Sequence, residues 1–256
     1  MFGKNILIAV PHPDDEVVAC CAAIGRAQAQ KARIYALYLT HGYIARDIMW
    51  PWERKNYEAH VARRRMEGEE AAKLLGITPL SWNARPARHL WRHLGEVQSE
   101  IESAVARHNI DQLWVPAYEG GNADHDALNA VGSVFADKLS VFEFAEYNFS
   151  AGKAHLQEFP FPDGSEQMIG LAPEEIRRKR DALKIYASEK GNLNYVKTEQ
   201  ECWRPLAKYD YSRPPHDGVL WYARFQWVPF RHPRVDFTDA RDVSEAITRF
   251  LEGKGK

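Results

Sequence analysis

The chain has 256 residues, a net charge of −1 and 27% charged residues. That length allows one large domain with a full core, and the near-neutral balance offers neither a polybasic face for nucleic acid nor an acidic tail, so the expected partner is a small or neutral molecule. No apolar stretch approaches the ~20 residues that span a bilayer, no signal-peptide pattern opens the chain, and three cysteines, Cys20, Cys21 and Cys202, cannot all pair, which suits a reducing cytoplasm. Nothing in the sequence sets the oligomeric state.

Ile6-Leu7-Ile8-Ala9-Val10 is a continuous apolar run, the pattern of a strand buried on both faces in a parallel sheet. Pro11 and Pro13 bracket His12 and end it. In such sheets ligands bind beyond the carboxyl ends of the strands, which is where His12, Asp14 and Asp15 fall. An imidazole and a carboxylate three residues apart across a tight turn can reach one divalent cation, while an adjacent free carboxylate can work as a base. His12 and Asp15 are therefore candidate ligands and Asp14 a candidate base. The competing reading is that the acidic residues only cap a helix; the histidine before them and a second His/Asp group downstream favour the metal.

Val17 to Gln30 is Ala-rich, as in a helix packed closely on a sheet. Arg33 to Thr40 is the second expected strand, closed by His41-Gly42-Tyr43, with His41 able to look into the same crevice but read as structural or at its rim rather than as a ligand. The loop holding Trp50 and Trp52 either stacks on a sugar or packs on its own domain. Glu53 to Leu75 predicts a long helix stopped at Gly76, with Arg63, Arg64 and Arg65 forming a solvated face with Glu67, Glu69 and Glu70. Ile77 to Trp82 and Gln112 to Pro116 predict strands three and four, with a helix over Leu94 to His108 between them. In the next stretch, Gly120-Gly121 permits a sharp turn and Asp124 caps a helix from His125 to about Lys138. If strands one and four are neighbours, His125 joins His12 and Asp15. Two histidines and one carboxylate leave a coordination position open, as in catalytic zinc sites.

Val141 to Phe149 predicts a fifth strand, Pro173 to Ser188 a helix opened by proline, and Asp242 to Leu251 a short amphipathic helix, with Gly253 to Lys256 fraying. Glu199 to Phe237 predicts short strands and loops. The expected architecture is an α/β, Rossmann-like three-layer fold with a mostly parallel sheet, plus a C-terminal loop- and strand-rich portion covering the crevice.

The motifs His12-Pro13-Asp14-Asp15-Glu16, Thr40-His41-Gly42, Arg64-x-x-Glu67 ahead of Leu75-Gly76, Gly120-Gly121-Asn122-Ala123-Asp124-His125 and Lys179-x-x-Ala182-Leu183-x-x-Tyr186-x-Ser188 resemble those of the PIG-L/LmbE-like zinc deacetylases. The likeness predicts a single domain over 1–256, with a matched core at 1–190 and a poorly matched extension at 191–256. It implies removal of an N-acetyl group from an N-acetylglucosamine-type sugar or glycoconjugate. It also implies Zn2+ on His12, Asp15 and His125, Asp14 as general base, Arg64 as a substrate contact, and Asp124 tuning the neighbouring histidine. One position departs: the family usually has His where Asn122 stands. Asn122 can donate to an oxyanion but cannot move a proton. Either it serves as a neutral donor, or the protein is a weakened member that binds sugar or scaffolds a complex, or His41 or His216 enters the pocket instead. A non-haem Fe(II) enzyme shares the ligand set, but the alternation of strands and helices opposes its usual scaffold.

Overall fold

The computed structural model describes residues 2–253. Its elements, in order, are β1 (Asn5–Val10), α1 (Asp15–Ala29), β2 (Arg33–Tyr38), α2 (Tyr57–Leu75), β3 (Thr78–Trp82), α3 (Leu94–His108), β4 (Gln112–Pro116), α4 (Ala123–Ser133), β5 (Ser140–Ala145), β6 (Tyr147–Asn148), β7 (His155–Leu156), β8 (Gln167–Gly170), α5 (Pro173–Ile185), β9 (Gln200–Pro205) and α6 (Ala240–Glu252). Seven strands form the main sheet in the order β3-β2-β1-β4-β5-β9-β8, and β6 and β7 pair separately. β1 to β5 run parallel, while β9 is antiparallel to β5 and to β8.

Side-chain alternation explains the three layers. Ile6, Ile8 and Val10 of β1 face the cluster holding Ala19, Ala23, Ala72, Leu75 and Ala182 of α1, α2 and α5. Leu7 and Ala9 face the opposite cluster, with Val97, Ile101, Leu128, Val131 and Ile247 of α3, α4 and α6. β1 is thus apolar throughout because both of its faces are covered. The chain winds from β1 to β2 on one side and returns to β4 on the other, so the switch point lies between β1 and β4, where open α/β sheets place their ligands.

Helices and strands in the first half fall within a few residues of expectation, and the differences have local causes. A separate single turn, Arg54–Asn56, precedes α2, and α4 stops at Ser133 before a run of tight turns through Leu139. The fifth strand breaks after Ala145 because buried Glu119 accepts the backbone N–H groups of Glu146 and Tyr147, which removes them from the ladder. β8 was not foreseen; four residues at a sheet edge carry little periodicity. The part after residue 190 is more integrated than an extension, since β9 lies inside the main sheet and α6 buries Val243 and Ile247 in the shared core. The expected fraying concerns residues of which 254–256 lie outside those described. No described helix is long and apolar enough to cross a membrane.

Candidate metal centre

The turn after β1 is held in a backbone shape that ordinary residues avoid. Asp14 has φ 137°, a strained value for a side chain with a Cβ. Its N–H donates to Glu16 Oε2 at 3.1 Å and its carbonyl accepts from Val17 and Val18, both at 2.9 Å. Arg64 Nη2 donates to the carbonyl of Pro13 and, at 3.1 Å, to Asp14 Oδ2. Gly42 makes room: a Cβ there would lie 2.7 Å from Pro13 and 2.9 Å from the Arg64 guanidinium. The strain is therefore maintained by neighbours from α2 and from the end of β2.

The distant motifs buttress the same turn. Tyr186 donates to Glu16 Oε1 at 2.5 Å, and Ser188 donates to Glu67 through both Oγ (2.5 Å) and N (3.0 Å). Lys179 pairs with Glu201 at 3.2 Å, both wholly buried; Glu201 in turn accepts the N–H groups of Ala22 and Ala23 in α1. Arg64 is only 1% exposed, a correction to the solvated face expected of the three arginines; Arg63 and Arg65 do pair with Glu67 and Glu69 along the helix. The Arg64 guanidinium meets Asp14, Pro13, Glu189 at 3.7 Å and Glu67 at 3.9 Å, so it reaches the crevice through Asp14 rather than by an exposed guanidinium.

His12, Asp15 and His125 come together across the switch point, each offering a ligand atom within 4.8 Å of the others. Asp15 Oδ1 is 3.4 Å from His125 Nε2, and Asp15 Oδ2 is 3.5 Å from His12 Nδ1. The other nitrogen of His12 faces Asp124 Oδ2 at 3.1 Å, and Asp124 is fixed by the N–H groups of Arg88 (2.6 Å) and Leu90 (2.9 Å). A carboxylate behind a ligating imidazole sets its tautomer and orientation. Asp124 thus acts on His12 across the crevice, not on His125 beside it: at the start of α4 consecutive side chains diverge by about 100°, so neighbours in sequence face different partners.

Whether these residues fit a cation can be tested on their hydrogen bonds. His125 is 1% exposed, yet among the described residues neither ring nitrogen makes a hydrogen bond, Nε2 only facing Asp15 at 3.4 Å. Buried polar groups are almost always satisfied, so an orphaned imidazole beside a carboxylate and a second imidazole fits a divalent ion that completes it. The charges agree. Burial works to lower the His12 pKa, but Asp15 and Asp124 overcome it and raise it to about 10. Burial opposes ionisation of Asp15 too, yet His125 and His12 hold it well below the usual range. Carboxylates that draw a proton so strongly to this spot draw a metal cation to it as well. Asp14, close by but outside the group, is pushed up to about 8 by burial, against the pull of Arg64.

Asn122 caps α4, its Oδ1 accepting from Asp124 N at 2.9 Å. Its Nδ2 donates to no described residue. His41 is structural: it accepts from Tyr43 N at 3.1 Å and meets Tyr57 OH at 2.9 Å, and burial lowers its pKa to about 4. His216 is buried against Gly120, with Nε2 unpartnered. The sequence reading overlooked Glu146 and Tyr147. Glu146 is 2% exposed with Oε1 unpartnered, and burial together with the charge of Asp15 raises its pKa well above normal. The Tyr147 ring lies 6.0 Å from that of His125. Gly121 permits this approach, since a Cβ there would collide with the Tyr147 carbonyl at 2.2 Å. The available signal was position: both residues follow the end of a parallel strand.

Solved structures share this architecture. The A40926 pseudoaglycone deacetylase Dbv21 superposes with a TM-score of 0.62 at 19% identity, covering 81% of this chain and 98% of its own. N,N'-diacetylchitobiose deacetylase from Pyrococcus horikoshii superposes with a TM-score of 0.54 at 17% identity, over 78% and 83% of the two chains. The 4-carboxy-2-hydroxymuconate hydratase GalB from Pseudomonas putida also shares the fold, with a TM-score of 0.51, 14% identity and coverage of 81% and 98%. At such identities the likeness is one of fold. No curated protein matches significantly in sequence. The family model described as PIG-L, GlcNAc-PI de-N-acetylase, matches residues 7–136, from β1 through the end of α4 and so across the whole His12, Asp15 and His125 cluster, and the chain belongs to that family.

Proposed function

We propose that the protein is a metal-dependent hydrolase that removes the N-acetyl group from an N-acetylated amino sugar or its glycoconjugate. Because one fold supports deacetylases and a hydratase, the reaction has to be argued from the site. The observation that carries the reading is the orphaned, buried His125 imidazole facing Asp15 and His12, with a strained Asp14 beside them. A zinc ion held by His12, Asp15 and His125 would supply Lewis-acid chemistry, activating water and polarising the acetyl carbonyl.

The remaining chemistry falls to the chain's own groups. Asp14 takes the proton of the attacking water and later delivers it to the departing amine; an acid–base group works best with a pKa near the working pH, and burial has moved Asp14 upward in that direction. Arg64 holds Oδ2 of Asp14, leaving Oδ1 to receive the proton. Asp124 keeps the His12 ring turned so that Nδ1 faces Asp15. Asn122 Nδ2 serves as a neutral donor to the oxyanion of the tetrahedral species, and no histidine is needed there because Asp14 carries the proton in both directions. The free, buried Cys20, Cys21 and Cys202 are in keeping with a cytoplasmic setting.

The test is release of free amine and acetate from a panel of N-acetylated sugars with and without added zinc. Asp14→Asn is expected to keep its metal while kcat falls by ~10² to 10⁴. A variant as active as the parent would remove Asp14 from the mechanism.

A further inference from the structure

One wall of the crevice is aromatic and is built from three separate segments. Tyr147, whose ring is 6.0 Å from that of His125, packs 5.1 Å from Trp221 and 5.2 Å from Tyr195, and Tyr195 and Trp221 are 5.7 Å apart. All three residues are half-buried rather than sealed in the core. Trp221 is tied to the loop after β4, its backbone N–H donating to the Gly120 carbonyl at 2.9 Å. Partly exposed aromatic rings beside a crevice suit the apolar face of a sugar.

Arg224 ends this wall. Its guanidinium carbon lies 3.4 Å from the centre of the Trp221 ring and 5.4 Å from that of Phe149, and Nε donates to the Trp221 carbonyl at 2.9 Å. The side chain is half-buried, and burial lowers its pKa with only the Tyr147 and Tyr195 hydroxyls working in the other direction. Among the described residues no carboxylate lies within ion-pair distance of it. The more enclosed arginines Arg64 and Arg204 each have at least one, as do Arg85 and Arg88. Apart from Nε–H, the N–H groups of Arg224 have no acceptor among the described residues, and stacking on Trp221 holds the planar fork in place. A partly desolvated cation without a counter-ion is costly, and its fork matches a carboxylate or phosphate.

We propose that Arg224 recognises an anionic substituent, a carboxylate or a phosphate, on the substrate, with the sugar lying along Tyr147 and Trp221 toward the metal centre. The preferred substrate is then an acidic N-acetylated amino sugar. The sugar half rests on the hydrolase reading above; the anion half does not.

The experiment is calorimetric titration of the Asp14→Asn protein, which holds ligand without turning it over. The probes are N-acetylglucosamine, N-acetylmuramic acid for a carboxylate, and N-acetylglucosamine 6-phosphate for a phosphate. One of the two acidic sugars should bind roughly ten- to a hundredfold more tightly than the neutral one, the range for hydrogen bonds to a charged group; which one identifies the anion. In the double variant with Arg224→Gln that preference should collapse toward one, and with Arg224→Lys it should be partly restored, because the charge returns without the fork. Equal affinity for all three sugars, or an acidic preference that survives Arg224→Gln, overturns the inference. The outcomes separate from those of the hydrolase reading. Arg224-dependent anion binding in a protein whose parent releases no acetate would uphold the inference while defeating the reaction, and deacetylation blind to the acidic group would do the reverse.

Discussion

Among the buried polar clusters on this sheet, two differ in how their hydrogen bonds close. On β5 and β9, Glu143 and Arg204 meet at 2.6 Å, both essentially inaccessible. Tyr209 bonds both partners, Asn129 donates to Glu143 at 2.8 Å and accepts from Tyr211 at 2.6 Å, and the remaining guanidinium nitrogen reaches Glu166 and the Phe161 carbonyl. Every group there has a partner within the chain. At the ends of β1 and β4 the counterpart cluster leaves both His125 nitrogens without a hydrogen bond and sets the negative charges of Asp15 and Asp124 around the two imidazoles. Burial of polar residues is common to both; only the second is incomplete without a ligand. Closure, more than burial or charge, separates a structural network from a site.

The largest effect should come from deleting a member of the open cluster. His125→Ala is expected to abolish binding of about one divalent ion per chain, measured by elemental analysis. Added zinc should raise the melting temperature of the parent, since a ligand that binds only the folded state stabilises it, and should leave the variant unmoved. Without metal the two proteins should melt within about 4 °C of each other, because removing an unpartnered imidazole offsets the lost packing. Full metal content in the variant would place the ion elsewhere.

Deleting a member of the closed cluster should do the opposite. Arg204→Met leaves Glu143 buried without its counter-charge, a loss of the kind that costs ~3 to 5 kcal/mol. Urea denaturation should show it as a lower midpoint, with metal content per folded chain unchanged. A variant that keeps its stability but loses the metal would erase the distinction between the two clusters.

The two clusters were not equally legible in the sequence. The His12, Asp15 and His125 cluster was, because its residues sit in short motifs at strand ends and parallel-sheet geometry places such ends beside one another. The partners of those residues were not. Arg64 lies among three consecutive arginines with glutamates at helical spacing, which is the pattern of a surface; only the tertiary packing that seats Gly42 against its guanidinium shows that the middle one is buried. The Glu143–Arg204 network joins residues 61 positions apart from strands whose antiparallel pairing no local periodicity announces. Tyr147, Tyr195, Trp221 and Arg224 were invisible for a related reason. Their convergence depends on loop conformations, and loops carry turn chemistry but little long-range order in sequence.

The smallest effect concerns the residue that stands between the two kinds of cluster. Asn122 is half satisfied: Oδ1 is spent on capping α4, while Nδ2 has no partner among the described residues. Asn122→Ala should remove both functions, costing ~1 kcal/mol of stability, typical of a lost cap, together with whatever rate the donor supplies. Asn122→Ser separates them, because serine caps as well as asparagine does but is too short to place an N–H where Nδ2 now is. If the donor matters, Asn122→Ser should melt with the parent, within about 2 °C, yet lose activity alongside Asn122→Ala, by up to ~10² to 10³ in kcat. Should Asn122→Ser keep both stability and rate, the side chain is only a helix cap, and the oxyanion must be met by another group.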